Sequence, residues 1–251
     1  MPDGFRRCCL FVALTLLVLA GCSEPAVEIP KQSTPIDPAT AGTIRVAVSY
    51  QGAPPAPKPI SLQSAPACAQ AHPEPVYDES LVVAGDKLVN AVVWIKGGLE
   101  KMVFAPPQEA VEIDQIGCLY KPHVISAMVH QPVAFLNSDS ESHNVHGKPQ
   151  VVDGWNFIMS RKGSRQEVTF DQSEIAVPVG CDIHPWMRAY VAIAPTPYHG
   201  VTGSDGVVEL APLPPGEYVV AAWHEKLGTR EQRVQLAPSG SAAVAVTFGE
   251  K

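Results

Sequence analysis

Apolar and polar residues alternate in short runs along most of this chain, beginning at 43–50, where Ile44, Val46 and Val48 interleave with Thr43, Arg45 and Ser49. A two-residue period marks a strand with one buried face, because successive side chains leave a strand on opposite sides. Residues 88–96 read as a second strand, ended by Gly97-Gly98. Residues 124–129 and 132–136 form two more, divided by a turn at His130-Gln131, and 168–170, 174–179 and 190–194 continue the series. Towards the end, strands over 207–210, 218–224, 231–236 and 242–248 are separated by Asp205-Gly206 and Pro214-Pro215-Gly216. No ten-residue stretch beyond the N-terminal segment carries a 3.6-residue period. Short strands divided by turn residues predict an all-β architecture of sandwiches or barrels.

Composition agrees. The 251 residues include 25 Pro and 19 Gly, which favour turns over long helices, and the 46% hydrophobic content is ample for a core. The length allows one large β domain or two to three small ones. A net charge of −7 with no basic stripe argues against nucleic acid as a partner.

Residues 1–21 have the build of a signal peptide: Arg6 and Arg7, an apolar run over 10–19, and small residues at 20–22. That run is too short for an ordinary membrane-spanning helix. Leu19-Ala20-Gly21-Cys22 resembles the lipobox of bacterial lipoproteins, which implies lipidation of Cys22. The same resemblance places the chain in the bacterial periplasm or at the cell surface, with Ser23 pointing to outer-membrane sorting, held to a membrane by acyl chains. Residues 22–41, with Pro25, Pro30, Pro35 and Pro38, read as an extended tether.

The chemistry concentrates in Cys181-Asp182-Ile183-His184-Pro185-Trp186-Met187. A thiolate, an imidazole and a thioether within one loop are the donors of a mononuclear type 1 copper site, which needs one further imidazole. His143 or His146 supplies it; three apart on a strand, they face opposite ways, so only one reaches the metal. With Cys8 and Cys9 in the signal peptide and Cys22 lipidated, Cys68 and Cys118 are left for a disulfide. The alternative is a second metal site using His72 or His123, though neither cysteine has close ligand spacing.

Cys181-x-x-His184-x-x-Met187, with Asn137-Ser138-Asp139 and His143-Asn144 upstream, resembles the cupredoxins, and its short spacing is that of the amicyanin branch. The resemblance covers 101–195 and implies a Greek-key β-sandwich with one copper ion held by His143, Cys181, His184 and Met187. It implies that Asn144 pins the ligand loops together, and His184 is expected as the partly exposed ligand; Trp186 beside it is either plain core or, with Pro185, an apolar contact for redox protein partners. Residues 196–251 resemble the small transthyretin-like, carboxypeptidase-regulatory β-sandwich, on the Asp205-Gly206 hairpin and Pro214-Pro215-Gly216-Glu217-Tyr218 turn. Residues 42–100 either complete that sandwich or form their own. The chain as a whole looks like periplasmic plastocyanin-like lipoproteins, implying a single-electron carrier. An enzyme is not expected: no His-x-His pair or His-Cys-His occurs, as a multicopper oxidase or reductase requires. A copper-, glycan- or protein-binding module without electron transfer is the rival reading.

Overall fold

The computed structural model describes residues 29–249. The expected signal peptide and the expected lipidation at Cys22 lie outside that range. The described chain is all-β apart from one five-residue helix, Pro66–Gln70.

The strand Gly42–Gln51 sits at the centre of the first sandwich. It pairs antiparallel with Val207–Leu213 and parallel with Ser241–Gly249. Its alternation buries Ile44, Val46 and Val48 completely. A second sheet runs in the order His199–Val201, Val92–Gly97, Gly216–His224, Gly228–Leu236. Between the sheets lie Val93, Ile95, Leu210, Leu213, Val220 and Phe248. Residues 42–100 and 196–251 therefore build one sandwich, not two. Thr202 locks its halves, accepting from the Ala91 N–H at 2.9 Å and donating to the Leu88 carbonyl at 2.7 Å.

The chain leaves this sandwich after Val92–Gly97 and returns at His199–Val201, building a second unit between. One of its sheets has the order Trp155–Met159, His143–Gly147, Glu174–Gly180, Arg188–Ala194, Val124–Met128. The other has the order Ser164–Val168, Val133–Asn137, Val111–Gln115, Tyr120–Lys121. Ile113, Phe135, Val145, Val177, Val191 and Ile193 fill the space between them.

The two units pack face to face through strands apolar on both sides. In Val92–Gly97, Val93 and Ile95 face the first core, while Val92 and Trp94 meet Val124 and Ala192 of the second unit. Continuous apolar runs are what a doubly covered strand needs. The Tyr190 and Trp223 rings, 5.1 Å apart, and a buried His123–Glu225 pair extend this contact.

Three expectations change. The stretch read as an extended tether over 22–41 is docked near its end: the Val103 N–H donates to Thr34 Oγ1 at 3.0 Å, the Thr34 N–H to the Val103 carbonyl at 2.8 Å, and Ile36 packs on the first core. The expected strand 168–170 is displaced to Ser164–Val168, a largely exposed edge paired with Val133–Asn137. Leu88–Lys96 is broken at Asn90, whose φ of 61° leaves strand geometry, so Lys87–Leu88 and Val92–Gly97 join different sheets.

Candidate metal centre

The strand His143–Gly147 carries His143 inward and His146 outward, as two-residue alternation requires. His143 is fully buried; its partner from the loop after Glu174–Gly180, His184, is 7% exposed. Their Nδ1 atoms are 3.0 Å apart, and Cys181 Sγ is 3.9 Å from His184 Nδ1. All three donors lie within 4.8 Å of one another. The loop is wound tight by backbone bonds: the Met187 N–H donates to the His184 carbonyl at 2.9 Å, and the Cys181 N–H to the Met187 carbonyl at 3.2 Å. Met187 is buried in the same apolar core as Cys181.

The surroundings prepare the donors. Asp139 accepts from His143 Nε2 at 2.9 Å, and from the N–H groups of Gly117 and Cys118 at 2.6 and 2.7 Å. The contact of Nε2 with Asp139 orients the ring so that the opposite nitrogen, Nδ1, is turned towards the cluster. Burial alone would raise the Cys181 thiol, but the hydrogen bond from His143 and the backbone N–H groups of Asn144, His184 and Ile183 bring it below the ordinary thiol value. For His143 burial is likewise opposed, by Cys181 and Asp139, and its basicity ends above the usual imidazole value. His184 moves the other way, held down by burial and then by the charge of His143.

Asn144 ties the two ligand segments. Its N–H points at Cys181 Sγ (3.4 Å), its side-chain carbonyl accepts from the Asp182 N–H (2.5 Å), and its amide donates to Asp182 (3.0 Å) and Asn156 (2.9 Å). His146 contacts the Asp182 carboxylate at 3.0 Å on the outer face.

The structure differs from expectation at the outer edge of His184. Cys68 and Cys118 form a disulfide, and Cys68 Sγ lies 3.6 Å from His184 Nε2. The helix Pro66–Gln70 brings Cys68 there, on a connection that leaves the first sandwich after Gly42–Gln51. The ring is thus capped, not partly exposed. Trp186 lies 5.2 Å from the imidazole, centroid to centroid, and donates through Nε1 to the Cys118 carbonyl at 3.0 Å; Pro185 is exposed. His72 contacts the Gly117 carbonyl at 2.6 Å, and Gly117, at φ +62°, has no room for a Cβ because that ring would be 2.6 Å away. Sequence reading gave Asp139 no role and His72 only that of a ligand in the alternative metal site, whereas its ring nitrogen meets the Gly117 carbonyl. Asp139, four residues before His143, was the signal available for the first; His72 offered none.

No family model and no curated protein matches this chain. Solved structures do. A methionine-to-alanine variant of amicyanin in its Cu(I) form is 22% identical over 34% of this chain and 82% of its own, with a TM-score of 0.31. A purple cupredoxin from Nitrosopumilus maritimus is 21% identical over 34% and 99%, at 0.30. A Cu-containing nitrite reductase from Thermus scotoductus SA-01 is 21% identical over 39% of this chain and 25% of its own, at 0.29. The likeness is confined to little more than a third of the chain.

Proposed function

We propose that this chain is an exported, membrane-tethered type 1 copper protein that passes single electrons between protein partners. The observation that carries the reading is the buried convergence of two imidazole Nδ1 atoms and one thiol sulfur. A first-row metal bound by imidazole and thiolate lies about 2.0–2.3 Å from each donor. Donors that all lie within 4.8 Å of one another, two of the pairs at 3.0 and 3.9 Å, fit around one such ion with little movement. Copper supplies the one-electron couple when bound, and a thiolate with two imidazoles and a weak axial thioether is its characteristic donor set. Met187, buried in the same core as Cys181, would supply the thioether.

The chain's own groups do the rest. Asp139 fixes the face that His143 presents, Asn144 holds Cys181 against the strand His143–Gly147, and the apolar core excludes water from the sulfur. Burial of every donor supports a carrier over an enzyme, since it leaves no open side for a substrate. Trp186, touching His184 and partly exposed, is the route we favour to a partner now that the imidazole edge is capped.

Copper titration followed by visible absorption tests the ligand set. Cys181→Ser should abolish the intense thiolate-to-copper band, and His146→Ala should leave it. Loss of colour in His146→Ala with retention in Cys181→Ser would overturn the assignment.

A further inference from the structure

His184 presents one ring nitrogen to each of two clusters. Nδ1 faces His143 and Cys181, while Nε2 faces the Cys68–Cys118 bridge, 3.6 Å from Cys68 Sγ. Cys68 Sγ, Cys118 Sγ and a ring nitrogen of His184 fall within 4.8 Å of one another, and all three residues are buried. As a disulfide the two sulfurs are poor donors. As a dithiol they would be two thiolate donors beside an imidazole, the set preferred by zinc and Cu(I).

We propose that reduction of this bridge creates a second metal site, for a thiophilic d10 cation held by Cys68, Cys118 and Nε2 of His184. The inference goes beyond the reading of the inner cluster and needs only the placement of His184 from it.

The bridge opens by exchange with a dithiol reductant. One thiolate of the reductant attacks a chain sulfur, its second thiol displaces the mixed disulfide, and the reductant departs as its own disulfide. The chain gains two electrons and two protons, and metal binding releases both thiol protons.

The bridge is not the sole tie between its two sides. His72, just past the helix that carries Cys68, bonds to the Gly117 carbonyl at 2.6 Å. The Gly117-Cys118 turn is gripped by the Asp139 carboxylate, and the Cys118 carbonyl by Trp186 Nε1 at 3.0 Å. These contacts tie both segments beside His184 independently of the S–S bond.

The geometry can also supply the required lone pair: in the tautomer where Asp139 accepts from His143 Nε2 and His184 Nδ1 donates to His143 Nδ1, a neutral His184 has Nε2 bare towards the sulfurs. A neutral ring has one lone pair to give, so filling the outer site withdraws His184 from the inner one.

The test uses the mature chain carrying Cys181→Ser, which disables the inner cluster and separates this proposal from the copper reading. Oxidised and phosphine-reduced samples are titrated with Zn(II) against a chromophoric chelator. One equivalent should bind to the reduced form and none to the oxidised form. Adding Cys68→Ser and Cys118→Ser should abolish binding, and adding His184→Gln should weaken it at least tenfold. Equal zinc binding before and after reduction, or a loss below tenfold in the His184→Gln protein, would overturn the proposal. The oxidised-against-reduced comparison is made on one protein and stands however the further variants fold.

Discussion

Asn144 shows how much of the site rests on single side chains. Its amide and N–H reach Cys181, Asp182 and Asn156, joining the ligand loop to two strands. A buried hydrogen bond contributes about 1 kcal/mol net, and an orphaned partner costs more. Asn144→Ala should therefore lower the unfolding free energy by about 2–4 kcal/mol, measured by urea denaturation of the metal-free protein; a change under about 0.5 kcal/mol would mean the two segments are held without it. His224 makes a second residue-scale case. It is fully buried, its Nε2 has no hydrogen-bond partner, and burial, then His123 and Lys226, push it down to about 4 from 6.5. Because the folded-state value is depressed, stability is intact above about pH 6.5 and is lost as pH falls towards 4, by up to about 3 kcal/mol. His224→Gln should remove most of that loss between pH 7 and 4.5 in urea unfolding. An unchanged acid dependence would show that His224 is not its source.

At the scale of elements, the capping turn and helix matter most. The Cys68–Cys118 bridge spans 50 residues, so opening it should cost about 4 kcal/mol in the chain-entropy model. Cys68→Ser with Cys118→Ser should show that loss in thermal or urea unfolding, and an unaltered midpoint would deny the bridge a part in stability. Elements were unevenly legible in the sequence. Strands with one clean apolar face, such as Gly42–Gln51 and Ser241–Gly249, announce themselves by alternation. His143–Gly147 and Trp155–Met159 do not: one begins with a buried His-Asn pair, and the other follows a polar run. The helix Pro66–Gln70 is too short for any period to register. The loop 181–187 was legible because close spacing of unusual donors needs no fold to be noticed, whereas the sulfur cap on His184 joins residues 116 positions apart.

On the scale of the whole molecule, the second unit is an insertion within the first. The strand Gly42–Gln51 depends on partners about 160–200 residues later, along both of its edges. Removing residues 199–251 should therefore abolish cooperative unfolding of the first sandwich, read by calorimetry. A truncated chain that kept the full transition would show that residues 42–97 fold alone. The same architecture puts the donor cluster under a cap delivered by the first sandwich, with Trp186 beside it at the edge. The central claim, that this cluster carries one electron at a time, is tested most directly by redox titration of the protein loaded with one equivalent of copper. The thiolate-to-copper band should disappear and return reversibly with one-electron Nernst behaviour. A copper-loaded protein with no such band, or with no reversible couple, would contradict it and leave a metal-binding module in its place.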